Sequence, residues 1–369
     1  MQDSRTIFMT GITGTLGKEM LEEILTTSKD QVILLIRRKG QQSHWDRVRK
    51  ILAPLGLEIL LGTRVHAVEG DITEPQFGLQ AHDLHALLHR ADTFFHIAAL
   101  TALNGSQEDC ERINVGGTRE ALKLAWLLKR EGRLKRFFYF STAYVAGSRQ
   151  TYCSLEDELP ARPAHANHYE ASKYQSETLV RQAMAEGLPV TIFRPSIVVG
   201  DSRTGEVSEF NVIYPFMKLF AHGILRKLPT RLDNTFNIVP IDFVTRAALA
   251  LSRKEETLGK TFHLVTREAP AVGALLEVAR EDYDETVPPI EVLDPATFSR
   301  QDLDFNEQFV YDMLEPYLGY LNDNLTFDTR NTEAALRGTG IEFPKTDKTF
   351  LRTLVEFAVQ SGYLAIQKA

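Results

Sequence analysis

A tyrosine and a lysine four residues apart are the pair in this sequence best suited to acid–base chemistry. Tyr169 and Lys173 stand in the run Tyr-Glu-Ala-Ser-Lys, and on a helix this spacing places both side chains on one face. A free tyrosine, with a pKa near ~10, is a poor acid–base group at neutral pH. An ammonium beside it favours the phenolate, so the spacing predicts a lowered Tyr169 pKa and proton donation to a carbonyl oxygen. The alternative is two unrelated neighbours on a solvated helix.

A second hydrogen-bond donor follows the apolar run Arg136–Phe140, which reads as a buried strand. Ser141 and Thr142 come directly after it. Because side chains alternate across a strand, only one of these hydroxyls should point into a cleft, and we choose Thr142. A hydroxyl at the carboxyl end of a parallel strand could donate to a substrate oxygen. The alternative is that both hydroxyls merely cap the strand end.

A glycine-rich turn opens the chain and could bind the pyrophosphate of a dinucleotide. Gly11, Gly14 and Gly17 follow the apolar run Ile7-Phe8-Met9 and precede an amphipathic helical pattern. Glycine permits a tight turn and a close approach of the backbone to the anion, and the helix N-terminus attracts it. A plain strand-to-helix turn is the alternative. We assign to this site Thr10, Gly11, Thr13, Gly14, Thr15, Leu16 and Gly17.

Cations at the end of the second predicted strand indicate which dinucleotide binds. Enzymes that use NAD usually place Asp or Glu there to accept the ribose 2′-hydroxyl. This sequence has Arg37, Arg38 and Lys39 instead, and a guanidinium can bind a 2′-phosphate with two hydrogen bonds. The pattern therefore favours NADP(H), although a solvated basic strand end is the alternative, and it does not decide which arginine makes the contact.

Two further strand ends contribute candidate cofactor contacts. Asp71 follows the third strand and could accept from the adenine amino group, with Ile72 against the ring. After the fourth strand, the small residues Ala98 and Ala99 would let the cofactor ribose lie near the backbone. His96 precedes them, and for it a satisfied buried histidine is at least as good an interpretation as a functional one.

The elements that position these residues alternate as βαβ units, which predicts an α/β fold of the Rossmann type with a doubly wound parallel sheet. We predict a dinucleotide-binding domain over 1–200 plus 236–266 and a smaller, mostly helical substrate lobe over 201–235 plus 267–369. The aromatic-rich stretch Phe210–Phe220 either lines a substrate channel or packs in the core. The strands are expected at Thr6–Thr10, Val32–Ile36, Val65–Val68, Thr93–Ile97, Arg136–Phe140, Val190–Phe193 and Lys260–Val265.

Composition narrows the functional classes. The 369 residues carry a net charge of −7, which argues against a nucleic-acid partner. The two cysteines, Cys110 and Cys153, give neither a disulfide framework nor a metal-ligand cluster, so we expect no metal and a reducing, cytoplasmic location. We recognise no signal peptide and no apolar run long enough to cross a bilayer. The oligomeric state stays open.

At these motifs the chain resembles the extended short-chain dehydrogenase/reductases, and more narrowly their thioester reductase and fatty acyl-CoA reductase branch, the male-sterility type. The resemblance runs to about Val265 and includes Asn114-Val115-Gly116-Gly117-Thr118 and Arg194–Gly200. It implies NADPH, a small-molecule substrate, and Thr142, Tyr169 and Lys173 as catalytic residues, with Asn114 as a structural or proton-relay residue. The resemblance also implies cofactor contacts from Tyr169, Lys173, Pro195, Ser196 and Ile197.

The resulting hypothesis is reduction of an acyl thioester, presented by coenzyme A or by an acyl carrier protein in trans, to an aldehyde or alcohol. Two alternatives stay open. One keeps the fold but changes the substrate, giving a sugar-nucleotide epimerase or dehydratase, or a ketone or hydroxysteroid dehydrogenase. The other is a non-enzymatic NADP-binding sensor.

Overall fold

A seven-stranded parallel sheet forms the centre of the computed structural model, which describes residues 4–147, 152–282 and 289–364. The strand order is β11-β7-β5-β4-β1-β2-β3, so the direction of strand addition reverses between β1 and β4. The predicted doubly wound α/β fold is confirmed. The strands are β1 Thr6–Thr10, β2 Gln31–Ile36, β3 Val65–Glu69, β4 Thr93–His96, β5 Arg136–Phe140, β6 Cys153–Ser154, β7 Val190–Pro195, β8 Ile197–Val199, β9 Lys227–Pro229, β10 Ile238–Pro240, β11 Thr261–Leu264, β12 Glu291–Leu293 and β13 Thr326–Phe327.

The register of the central strands brings their carboxyl ends to one edge of the sheet. Thr10 pairs with His96, and Phe140 pairs with Phe193, so β1, β4, β5 and β7 end nearly level. Ligands bind at this edge in open α/β sheets, next to the point where the strand order reverses. The glycine turn, Thr142 and the residues after β7 all follow these strand ends.

Helices cover both faces of the sheet, which explains why its strands are apolar on both sides. On one face α1 packs with α8, and on the other α5 packs with α6. The helices are α1 Thr15–Thr27, α2 His44–Leu52, α3 Ala81–Arg90, α4 Gln107–Cys110, α5 Gly117–Arg130, α6 His168–Ala185, α7 Ile213–Ala221, α8 Ile241–Leu251, α9 Val272–Asp282, α10 Phe305–Leu318, α11 Arg330–Leu336 and α12 Lys348–Gln360.

A separate apolar cluster holds the C-terminal elements together. It is built mainly from α7, α9, α10 and α12, and most of the apolar side chains of α7 are buried in it. The stretch Phe210–Phe220 thus packs as core, and a role in lining a substrate channel stays a prediction. The cluster also includes Tyr144 and Val199, which belong to the predicted dinucleotide-binding domain. Conversely, Leu336 of α11, from the predicted substrate lobe, packs into a core cluster of the sheet. The division into two lobes also stays a prediction.

No helix in the described part of the chain combines the length and the apolar character needed to span a bilayer.

Candidate active site

Tyr169 and Thr142 come together at the carboxyl edge of the sheet. Asn167 caps α6 by accepting a hydrogen bond from the Glu170 amide at 3.0 Å, which places Tyr169 in the first helical turn. Thr142 precedes a 3₁₀ turn over Ala143–Ala146, and its hydroxyl lies close enough to the phenol of Tyr169 to lower the pKa of that phenol. The neighbouring Ser141 points elsewhere and donates to Glu177 at 2.6 Å. Alternation therefore separates the two hydroxyls as expected from the sequence.

The pKa of Tyr169 departs from the sequence-based expectation. Burial raises this pKa well above the ordinary value of 10, and the adjacent Glu170 raises it further, while the nearby Thr142 hydroxyl lowers it only in part. The expected lowering by Lys173 is therefore wrong, because spacing along a helix says nothing about loss of solvent. A phenol with a raised pKa is protonated throughout the neutral range, which is the form that a proton donor requires.

Lys173 is buried against the last residues of β5. Its Nζ donates to the hydroxyl of Tyr139 at 2.9 Å and to the carbonyl of Phe140 at 2.7 Å. Nζ also lies 4.4 Å from the centre of the Tyr139 ring. Burial lowers the pKa of Lys173 to about 7, although Glu177 one turn later on α6 opposes the shift. Tyr139 is a site residue that the sequence reasoning missed, and its signal was a phenol in a fully buried strand, where the hydroxyl needs a partner.

Asn114 lies in a π-helical turn over Glu111–Gly116, at the start of the long α5. Both polar atoms of its side-chain amide are hydrogen-bonded. It accepts from the Leu100 amide at 2.7 Å, and donates to the Leu100 carbonyl at 3.0 Å and to Ser172 at 2.8 Å. Ser172 in turn donates to the carbonyl of Tyr169 at 2.7 Å. Asn114 thus ties the loop after β4 to the helix that carries Tyr169.

The glycine turn fits the pyrophosphate of a nicotinamide dinucleotide. The N-cap of α1 is Gly14, which has no side chain to occupy the first N–H groups of the helix, so these remain free for an anion. Thr13, Thr15 and Leu16 are half-buried around the turn.

At the other predicted end of the cofactor, the Ser196 hydroxyl is buried and has no hydrogen-bond partner among the described residues. Pro195 and Ile197 flank it in β7 and β8.

Replacing Gly17 or Gly14 singly by alanine should show which of these glycines the close packing of the turn requires. A Cβ on Gly17 would lie 2.2 Å from the Gly11 carbonyl oxygen, whereas one on Gly14 would meet that oxygen at 3.6 Å. We expect Gly17→Ala to destabilise the chain by roughly 1–3 kcal/mol or more, because backbone must move. Gly14→Ala should unfold thermally like the wild type. Equal melting temperatures for the two variants, measured without cofactor, would contradict this interpretation.

The side chains of Thr10 and His96 hydrogen-bond to each other. The Thr10 hydroxyl and His96 Nδ1 are 2.9 Å apart, and the Ala98 amide donates to the same hydroxyl at 3.3 Å. Burial and the nearby Lys173 lower the pKa of His96 to about 3, so its ring is neutral. These two side chains hold the ends of β1 and β4 together, as the satisfied-histidine interpretation expects. Gly11 packs directly on the backbone at Ala98, where a side chain would not fit, and Ala99 beside it is half-buried.

The predicted 2′-phosphate site lies in a cavity of about 690 Å³ beyond the ends of β2 and β3. Arg37 and Arg38 are each about two-thirds exposed there and face acidic neighbours, with Arg37 3.7 Å from Asp71 and Arg38 3.6 Å from Glu69. Asp71 accepts from the Thr73 amide and hydroxyl at 2.9 Å, so its carboxylate shapes the turn. Ile72 packs against Gly117. His44 at the start of α2 also lines the cavity, and the sequence reasoning did not identify it.

A buried ionic cluster between α6 and β7 supports the elements that carry the site. Glu177 of α6 and Arg194 of β7 are both fully buried and form a bidentate pair, with contacts of 2.6 and 3.1 Å. Arg181 donates to the same carboxylate at 2.8 Å. Ser141 donates the fourth hydrogen bond to this carboxylate, so Glu177 also fixes the strand end that carries Thr142.

This chain is similar to a known protein family, to solved structures and to several longer proteins. The sequence model of a family described as male sterility protein matches residues 9–248. The terminal R domain from the myxalamid PKS-NRPS biosynthetic pathway superimposes with a TM-score of 0.83 at 30% identity, covering 99% of this chain and 93% of that one. A linear gramicidin synthase of Brevibacillus parabrevis is 25% identical over 97% of this chain, and fatty acyl-CoA reductase 1 of Mus musculus is 27% identical over 67%. The chain spans only 7% and 54% of those two proteins, less than two thirds of either.

Proposed function

Because this chain belongs to the male sterility protein family of extended short-chain dehydrogenase/reductases, we propose that it is an NADPH-dependent reductase of acyl thioesters. The product would be an aldehyde or, after a second reduction, an alcohol. The observation that carries the proposal is the placement of the Thr142 and Tyr169 hydroxyls near each other at the edge where Rossmann sheets bind ligands. The relatives support the substrate class, since they include a terminal R domain of a biosynthetic assembly line and a fatty acyl-CoA reductase.

The chain's own residues would stabilise the substrate oxygen during reduction. Bound reduced nicotinamide would supply the hydride to the acyl carbon. Tyr169 and Thr142 would donate hydrogen bonds to the oxygen as negative charge develops on it, and Tyr169 would transfer its proton. Loss of the thiol from the resulting hemithioacetal would release the aldehyde. Lys173, anchored on Tyr139, would bind the nicotinamide ribose and resupply the proton through its ammonium.

The substrate is proposed to arrive on coenzyme A or on a carrier protein in trans. A carrier-bound substrate is supported by the relatives, because one similar structure is a thiolation-reductase di-domain; delivery in trans is our proposal. We propose the cytoplasm as the location, a reducing compartment that suits the free cysteines Cys110 and Cys153.

Arginine substitutions should reveal the cofactor preference. We expect Arg37→Ala or Arg38→Ala to weaken NADPH binding by about tenfold or more while NADH binding changes little, because charge-assisted hydrogen bonds to a phosphate are lost. Fluorescence titration with both dinucleotides measures the effect. Arg49→Ala is the matched control, since Arg49 lies exposed on α2 and pairs with Asp46 at 3.4 Å. Unchanged preference in both test variants would place the phosphate elsewhere, with Arg47 the next candidate.

The proposed reaction can be tested directly. Purified protein is mixed with NADPH and acyl-CoA thioesters of several chain lengths, and with acyl groups loaded on a carrier protein. Absorbance at the nicotinamide band reports consumption, and aldehyde or alcohol is identified by mass spectrometry. Consumption matched by aldehyde supports the proposal, whereas no consumption with any thioester contradicts it. Ketone and sugar-nucleotide substrates in the same assay examine the alternative chemistries.

A further inference from the structure

One residue of the C-terminal region reaches the helix turn that carries Tyr169. Tyr320 lies in a short 3₁₀ turn, Gly319–Leu321, directly after α10, and only 6% of it is exposed. The Asn167 amide donates to its hydroxyl at 3.1 Å, and that hydroxyl lies close enough to the Glu170 carboxyl to lower its pKa. A phenol from a distant part of the chain therefore bonds to the N-cap of α6 and lies beside Glu170, the residue next to Tyr169.

Glu170 is the centre of this contact. The residue is 2% exposed, and its Oε2 accepts from the Ala166 amide at 3.0 Å while its own amide donates to Asn167. Burial raises the pKa of Glu170 to about 7, although the nearby Tyr320 hydroxyl and the bond from the Ala166 amide oppose the rise. A buried carboxyl needs such donors, so removing one of them should loosen the first turn of α6.

The ring of Tyr320 also contacts the other proposed proton-donor region. It meets the Tyr144 ring edge-on, with centroids 4.7 Å apart and an interplanar angle of 79°. Tyr144 lies in the 3₁₀ turn after Thr142, and its amide donates to the Thr142 hydroxyl at 3.3 Å. Gly319 packs close to Ala166, where an added Cβ would lie 3.4 Å from the alanine methyl group.

We propose that Tyr320 is a positioning residue through which the C-terminal lobe keeps the side chains of Tyr169 and Thr142 at a fixed position relative to each other. Its hydroxyl fixes the turn that carries Tyr169, and its ring supports the turn that follows Thr142. The inference rests on the proposed reductase function for its catalytic consequence but not for the contact itself. A change in the packing of α10 would therefore reach the turns that carry the two hydroxyls through one side chain.

Tyr320→Phe tests the hydroxyl alone, because the ring and its contact with Tyr144 remain. Tyr317→Phe is the matched control. It removes a phenol hydroxyl from the same end of α10, where the ring packs edge-on to Phe216 at 6.2 Å. Amide hydrogen exchange is measured on the full chain without cofactor over 166–171. Steady-state kinetics with NADPH and a thioester give kcat and KM for each variant.

In Tyr320→Phe we expect the protected amides of Ala166 and Glu170 to exchange about tenfold faster, and kcat to fall about tenfold, the factor that one lost hydrogen bond typically supplies. The KM for NADPH should stay within about twofold, because the glycine turn and the arginines follow β1 and β2, whereas Tyr320 contacts the turn after β5 and the N-cap of α6. Tyr317→Phe should change neither quantity. A merely structural role would lower the melting temperature without separating kcat from KM.

The results separate the two proposals. Wild-type exchange in Tyr320→Phe, or equal changes in Tyr317→Phe, overturns the positioning role. Faster exchange with unchanged kcat overturns its catalytic consequence. If the wild type reduces no thioester, the proposed reaction fails, and the exchange measurement alone still decides whether Tyr320 holds the turn.

Discussion

Tyr169→Phe should lower kcat by about a hundred- to ten-thousandfold while NADPH binds nearly as tightly as before, because loss of a general acid has this range of effect. The substitution removes one hydroxyl and leaves the ring in its half-buried place beside the C-terminal cluster. Thr142 would remain as a single donor to the substrate oxygen. Since the pKa of Tyr169 is raised, the wild-type rate should not fall through loss of this proton until the pH passes 10.

Tyr174→Phe is the matched control for this experiment. Tyr174 lies on the same helix, but its hydroxyl donates to the Pro160 carbonyl at 2.9 Å, outside the proposed reaction. Single-turnover measurements at saturating NADPH would report the chemical step in both variants, and fluorescence titration would report cofactor affinity. A Tyr169→Phe enzyme with more than about a tenth of wild-type kcat would show that another group donates the proton.

Glu177→Gln should have the largest effect on stability. Arg194 is fully buried, so removal of the carboxylate charge leaves its guanidinium without a counterion in the interior. Breaking a buried pair in this way typically costs roughly 3–5 kcal/mol. Urea unfolding measures the change in the free energy of unfolding. Glu186→Gln is the control at the C-cap of the same helix, because Glu186 lies exposed and its carboxylate accepts from the Gln182 side chain at 2.9 Å; we expect a change there within about 0.5 kcal/mol.

The same substitution should alter the response to acid. Burial alone would raise the pKa of Glu177, but Arg194 and Arg181 outweigh burial and hold it at about 2. Because this folded pKa lies below the unfolded value of roughly 4.3, Glu177 contributes stability above that pH and loses the contribution as the pH falls toward 2. The stability difference between wild type and Glu177→Gln should thus be largest at neutral pH and shrink in acid. A difference that grows below pH 4 would contradict the assignment.

Sequence reasoning predicted the central sheet well because each buried strand carries its own signal. The runs Thr6–Thr10 and Arg136–Phe140 are apolar enough to identify a strand covered on both faces, and the structure ends them at those residues. Two strands run on where a polar residue continues the ladder: the third strand reaches Glu69, and the strand from Val190 passes Arg194 to end at Pro195. The fourth strand instead stops at His96, one residue before its predicted end.

The supporting groups of the site could not be predicted, because they come from distant parts of the chain. Ser141 and Thr142 could be separated by alternation alone, but the pairing of Ser141 with Glu177 joins residues 36 positions apart. The bond between Asn167 and Tyr320 spans 153 positions. Burial was the other missing quantity. It reverses the expected pKa shift of Tyr169, and no local spacing reports how much solvent a helix turn loses on folding.

The bond between Asn167 and Tyr320 sets a condition for building chimeras within this family. A designer who wants a new acyl preference would graft the later segments of one homologue onto the dinucleotide half of another. A seam placed between these residues divides one hydrogen-bonded unit between two parents. Such hybrids should fold yet turn over poorly unless both side chains come from the same parent, so this pair is the first to co-transfer.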